Sequence, residues 1–312
     1  MKSPPHHSSS ALGHLLAQLA MVAAFHGAAA SAAEPQSSAN RDSPLQVRLV
    51  SEVTAVQPGK AFQIGLHLRH GPGHHSYWVF PGVVGVPTRI EWSLPDGFQA
   101  GPLQWEIPER VDMRGIGAYG YTRDVLLTSE IRPPAELPAD APLRLAGRVS
   151  WMACSQERCN PGFLDVDILL PAASAHADPL SLHDPYWRPL FEARRQREPR
   201  PLEDWTAEAR RLETGFELLL RPATESARVQ LASLRSAYYF NTNALVDSHK
   251  EHRYDIDVDR SEIRCLLPFH EFAGPEPDVL RGVFVTDPPW NEKRSSPQGV
   301  VIEAPIRSPA RK

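Results

Sequence analysis

Past residue 33 the sequence has no run of 18 apolar residues, which excludes a membrane-spanning helix from that stretch. It has no excess of either charge. Thirty-three Lys and Arg stand against 37 Asp and Glu, a formal net charge of −4, so nothing electrostatic favours nucleic acid or an anionic membrane as a partner. There is no glycine-rich phosphate loop, no Ser nucleophile elbow and no HExxH run, which leaves nucleotide-binding and hydrolase readings without support. Nothing calls for a bound cofactor. Cysteine is scarce and CxxC is absent: Cys154, Cys159 and Cys265 are the whole set, enough for one close pair and one residue left over.

Proline is plentiful, with 31 Pro beside 19 Gly in a chain that is 42% hydrophobic. That balance points to many short strands joined by turns, because proline interrupts helices and supplies no ladder donor. In "AFQIGLHLR" the residues Phe62, Ile64, Leu66 and Leu68 alternate with less apolar ones, the period-2 signature of a half-buried strand. "LRLAGRVSW" repeats it with Leu143, Leu145, Val149 and Trp151, and "LDVDILL" with Leu164, Val166, Ile168 and Leu170. Pro58-Gly59, Pro81-Gly82 and Pro95-Asp96-Gly97 supply turn chemistry between such runs.

At 312 residues there is room for two domains. Composition shifts over residues 172–212 to Arg, Glu and Pro with one or two helical pieces, which reads as a linker. A second β pattern follows over residues 213–307. "GFELLLRP", "ARVQLASL", "SAYYFNTNALVD", "YDIDVDRSEIRCLLPF", "LRGVFVTD" and "GVVIEAPI" are its expected strands, with a tail at 308–312. The expectation is an all-β chain of two tandem antiparallel β-sandwich domains, 45–171 and 213–307, joined by a partly helical linker. Residues 1–33 read as a signal peptide, with Lys2, an apolar stretch from Leu15 to Phe25 and the small-residue pattern Ala30-Ser31-Ala32. Residues 34–44 read as a flexible leader. The mature chain is then expected in the periplasm or secreted, without a membrane span, where disulfides are permitted.

The sequence "WMACSQERCNPG" places Cys154 and Cys159 at the end of an alternating run. Three readings stay open for that pair. As a passive staple it would contribute little, since closing a loop of about six residues is worth roughly 2 kcal/mol against nearly 5 for about 100. As a redox couple it would sit in a tight loop ended by Pro161 and Gly162, with Arg158 beside Cys159. As a metal clasp it lacks a second Cys or His pair at a recognised spacing, though His74 and His75 in "GPGHHSYW" would suit copper if the fold brought them close. Otherwise they are loop histidines, hydrogen-bonded locally. Cys265, between Ile263 and Leu267 on one strand face, reads as a buried core thiol.

Three stretches, "HHSYWVFPGVVGVPTRIEWSLPDGFQAGPLQWEIPERV", "GAYGYTRDVLL" and "GRVSWMACSQERCNPG", resemble the N-terminal periplasmic domain of the membrane protein-disulfide reductases, the DsbD family, over about Leu45 to Pro171. "LRSAYYFNTNALVD" is similar, more loosely, to the extra β domain of that family's longer, copper-tolerance-associated branch. The resemblance implies an immunoglobulin-like sandwich whose redox pair falls on Cys154 and Cys159. It implies Cys159 as the exchanging thiol and Cys154 as the resolving one. It also implies a cap loop over the pair at "GIGAYGYT", with Tyr119 or Tyr121 as the shield, where ordinary strand-end packing is the competing account of both. The family continues into a membrane electron-transport region and often a thioredoxin-like domain, and these 312 residues hold no counterpart of either. The expected partners are therefore a separate membrane thiol–disulfide reductase and periplasmic thioredoxin-like or other disulfide proteins. The competing functions are a non-catalytic binding module with a structural disulfide, and a copper-handling protein.

Overall fold

The computed structural model describes residues 43–138, 142–271, 278–290 and 299–307. The expected signal peptide, most of the leader and the C-terminal tail lie outside them. In the first half, Leu45–Ser51 (β1), Phe62–His70 (β2), Ser76–Gly82 (β3), Arg89–Ser93 (β4) and Gln99–Ala100 (β5) are strands. Glu109–Met113 (β6), Ile116–Tyr121 (β7), Val125–Arg132 (β8), Leu143–Cys154 (β9) and Cys159–Leu170 (β10) follow. They form a sheet in the order β1-β2-β8-β5, a second in the order β10-β9-β4, and a small third, β3-β7-β6.

The alternation read from the sequence decides what lies inside. Phe62, Ile64, Leu66 and Leu68 of β2, Leu143, Leu145, Val149 and Trp151 of β9, and Val166, Ile168 and Leu170 of β10 are all buried in one apolar cluster. Removing a large apolar side chain of this kind from water contributes roughly 1.5–3 kcal/mol. Leu164 is partly buried against the same cluster.

The segment expected as a linker is tied down. It holds the helix Arg188–Gln196 (α1), and Trp187 and Phe191 pack with Val50 and Leu126. It also holds the short strand Arg200–Pro201 (β11) and the strand Trp205–Arg211 (β12). β12 pairs with Gly215–Pro222 (β13), Trp205 lying opposite Pro222 and Arg211 opposite Phe216. Its charged residues obscured it: Arg210 sits opposite Glu217, 3.5 Å away as an ion pair, while Trp205 and Ala209 are buried.

A further correction concerns "ARVQLASL", expected as a strand. Glu225–Ser233 is a helix (α2), begun by Thr224, whose Oγ1 accepts from the Ala227 N–H at 3.3 Å. Ala227 and Leu231, four residues apart, are its buried face, a spacing that serves a helix better than the alternating fit. Thr224→Ala should lower stability by about 1 kcal/mol, the usual worth of such a cap, read as a shift in the urea midpoint at unchanged slope.

The remaining strands are Ser236–Asn241 (β14), Arg253–Asp257 (β15), Glu262–Pro268 (β16), Val279–Asp287 (β17) and Gly299–Arg307 (β18). They continue one sheet in the order β14-β17-β18-β12-β13-β16-β15, with β11 beside β18. Pairing is antiparallel except where β18 runs parallel to β11 and β12. The sheet curls over its own core, bringing its end strands together: the Tyr239 N–H donates to Tyr254 Oη at 2.9 Å. Cys265 is buried in that core. Phe240 and Val283 of this half join the core cluster of the first half.

Candidate functional site

β9 and β10 pair without a slip from Leu143 opposite Leu170 to Cys154 opposite Cys159, so the two cysteines form the last rung of a long hairpin. They are joined as a disulfide with their Cα atoms 4.0 Å apart. The geometry of the rung explains the bond. The Cys154 N–H donates to His75 O, and the His75 N–H donates to Cys154 O, both at 2.9 Å. Both polar backbone groups of Cys154 thus point away from Cys159. The cysteines therefore face each other as a non-hydrogen-bonded pair, the closer of the two antiparallel spacings.

Four residues, Ser155 to Arg158, close the hairpin, with the Ser155 N–H donating to Arg158 O at 2.9 Å and Ser155 Oγ accepting from the Glu157 and Arg158 N–H groups. Pro161 and Gly162 are already inside β10 instead of ending the loop as expected. Gly162 is required there because the ring of Trp151, directly opposite, occupies the place of a Cβ, 2.2 Å from where it would stand.

Cys154 is fully buried and Cys159 half-buried. They cluster with Tyr77 of β3, Val84, Val111 and Met113 of β6, Ala118 of β7 and Met152 of β9. β6 and β7 form a hairpin whose two-residue tip, Arg114 and Gly115, has φ of 56° and 82°, the backbone of a type I′ turn. That tip lies against the loop between the cysteines. Gln156 Nε2 donates to Asp112 O at 3.1 Å and to Asp112 Oδ1 at 3.0 Å. Arg114 Nε donates to Gln156 O at 3.2 Å, and Arg114 also donates to Glu157 O. The hydrogen bonds from the Gly115 N–H and from Gln156 hold the Asp112 carboxyl below its ordinary range.

The far side of this hairpin rests on the second half of the chain. Ser248 Oγ donates to Gly117 O at 2.8 Å and accepts from the Val83 N–H at 3.0 Å, while the Gly117 N–H donates to His249 Nδ1 at 3.3 Å. The Arg110 guanidinium lies over the Tyr238 ring, 5.2 Å from its centre.

The two tyrosines expected as the shield are on β7, but both side chains are buried in the main core. Tyr119 packs edge-on against Phe240 at 5.0 Å and Trp78 at 6.4 Å, and Tyr121 Oη donates to Glu106 O at 2.7 Å. Strand parity is the reason: Ala118 faces the disulfide, so Tyr119 and Tyr121 face the opposite way. The aromatic residue clustered with the cysteines is Tyr77, whose hydroxyl burial pushes up to about 12.

The histidines also separate. His74 Nδ1 meets Pro72 O at 3.0 Å, a local loop contact. His75 is buried, with its ring edge-on to Tyr77 at 5.1 Å and Nε2 3.3 Å from Tyr77 Oη. Among the described residues no group of three His, Cys, Asp or Glu side chains is placed to hold a metal ion, and no helix is long and apolar enough to cross a membrane. The reading from residues alone missed Tyr77, Asp112, Arg114 and Gln156. Only the parity of "SYW" and "AYGY" carried a signal for the aromatic one.

Residues 41–171 match the family model described as thiol:disulfide interchange protein DsbD, N-terminal. No curated protein matches the chain. Among solved structures, the N-terminal periplasmic domain of ScsB from Proteus mirabilis aligns over 85% of this chain and 94% of its own, with 16% identity and a TM-score of 0.56. At that identity the likeness speaks for the fold alone. The N-terminal domain of Neisseria meningitidis DsbD in its reduced form aligns over 40% of this chain and 86% of its own, at 12% identity and a TM-score of 0.23. The disulfide rung and the hairpin against it thus lie in the segment, residues 41–171, that matches the DsbD N-terminal family model.

Proposed function

We infer that this chain is an extracytoplasmic thiol–disulfide exchange protein that relays electrons through Cys154 and Cys159 between a membrane thiol–disulfide reductase and oxidised proteins of that compartment. The observation that carries this reading is the position of the disulfide. It closes only four residues at a hairpin end, where it adds little to stability, and one of its two cysteines, Cys159, is only half-buried beside a hairpin tip. In the reductive step a donor thiolate attacks Cys159 Sγ, the sulfur of the less buried cysteine, and the Cys154–Cys159 bond breaks with its electron pair on Cys154. A second donor thiol then releases the donor as a disulfide and leaves both cysteines reduced. Passing the electrons on reverses these steps, with Cys159 attacking the oxidised partner and Cys154 resolving the mixed disulfide.

On this reading residues 45–171 are the exchange domain, the β6–β7 hairpin is its cap, and the domain over 213–307 supports that cap through Ser248 and His249. The deciding measurement is the reduction potential of the pair against glutathione. A value less negative than about −300 mV, with the fold retained after reduction, is expected for an exchanging couple. A lower potential, or unfolding on reduction, would make the bond a structural bridge.

The tip contacts give a second expectation. Arg114→Ala removes two exposed hydrogen bonds to the loop between the cysteines. Reduction of the disulfide by dithiothreitol should then quicken by roughly two- to tenfold, the range that a net hydrogen bond supplies, with no change in thermal midpoint. An unchanged rate would show that the tip does not limit access.

A further inference from the structure

Among the described residues, the backbone of His75 pairs directly with Cys154 of the disulfide. Directly opposed residues of an antiparallel pair project their side chains to the same face, with Cβ atoms about 4.5–5.5 Å apart. His75, Cys154 and Cys159 therefore stand in a row across three strands, in that order. His75 Nε2 stands 3.3 Å from Tyr77 Oη, and Tyr77 clusters with Cys154.

We propose that His75 is a catalytic residue of the exchange reaction, the base that takes the proton from the Cys154 thiol when Cys154 resolves a mixed disulfide on Cys159. The proposal rests on the exchange reading above and deepens it. In the tautomer whose Nε2–H donates to Tyr77 Oη, Nδ1 carries the lone pair that serves as the base. The Cys154 S–H proton passes to Nδ1, and the thiolate's electron pair forms the Cys154–Cys159 bond. The bond between Cys159 and the partner sulfur breaks, its pair leaving on the partner as a thiolate, which takes up the proton from His75 or from water. The partner is reduced, and the protein dithiol is oxidised by two electrons. In the opposite direction the imidazolium protonates Cys154 as it leaves.

A base is needed because Cys154 is fully buried, and burial disfavours a thiolate. The other buried cysteine shows the size of the obstacle: burial alone pushes the Cys265 thiol far above its ordinary value. His75 is suited to accept a proton at neutral pH. Burial lowers its pKa below 6.5, His74 lowers it further and Asp112 of the cap hairpin opposes them. His70, at the end of β2, is also within its electrostatic reach. Burial thus favours the neutral imidazole, while the carboxylate of Asp112 favours the imidazolium that forms.

The test is stopped-flow reaction of the reduced full chain with 5,5′-dithiobis(2-nitrobenzoate). Cys159 attacks first and releases one nitrothiobenzoate, and closure by Cys154 releases the second. For His75→Gln the first phase should keep its wild-type rate, and the second should slow by about 100-fold at neutral pH, the low end of what a positioned base supplies. The deficit should shrink toward alkaline pH as Cys154 loses its proton unaided. His75→Phe, which fills the buried site without a proton acceptor, should behave alike and guards against a folding defect of the glutamine variant. A second phase slowed by one factor at every pH, or not slowed, overturns the assignment. If the wild-type protein shows no second release, the exchange reading itself fails.

Discussion

Cys154→Ser should accumulate mixed disulfides through Cys159, while Cys159→Ser should accumulate none and lose exchange down to the uncatalysed background. The asymmetry follows from accessibility. Cys159 is half-buried at the start of the edge strand β10, whereas Cys154 is fully buried. The attacked or attacking sulfur must be reached by a second protein; the resolving one needs to reach only its neighbour across the rung. Mass spectrometry of each variant after incubation with an oxidised test protein reads the outcome. Equal trapping by both variants would show that the pair opens enough to expose Cys154, and trapping by Cys159→Ser alone would reverse the roles.

Tyr119→Ala should cost about 3–5 kcal/mol of stability, as for other large aromatic truncations in a core, a large part of the roughly 5–15 kcal/mol typical of a domain. Tyr119 is fully buried and touches Trp78 of the first half and Tyr238 and Phe240 of the second. Its loss leaves a cavity where the two halves share a core. Exchange by the protein that remains folded should be unchanged, because the side chain faces away from the disulfide. Urea unfolding gives the first quantity and the dithiothreitol rate the second. A cost under about 1 kcal/mol, the size of a surface change, together with faster reduction would return Tyr119 to the role of shield.

The difference between Tyr119 and Tyr77 shows what could be read from the chain. Period-2 alternation is a local property, and it identified β2, β9 and β10 together with the residues they bury. Turn chemistry was legible for the same reason: Gly59, Gly82 and Gly97 adopt φ of 65°, 92° and 81°. Locality also explains the errors. In "ARVQLASL" an alternating fit competed with Ala227 and Leu231 at helical spacing, and the Thr224 cap, outside the window, decided for the helix. In β12 the alternation was broken by Arg and Glu, whose partners lie on β13.

By itself the sequence determined an all-β chain rich in turns and the position of Cys154 and Cys159 at the end of an alternating run, because strand periodicity and hairpin closure act over a few residues. Only the tertiary structure decided what surrounds the pair. Gln156 meets Asp112 across 44 positions and Ser248 meets Gly117 across 131, contacts for which no spacing rule exists. Which face of β7 looks at the disulfide depends on register, and a slip of one residue would exchange Ala118 for Tyr119. The same register sets His75 beside Cys154, and with it the acid–base chemistry open to a buried thiol.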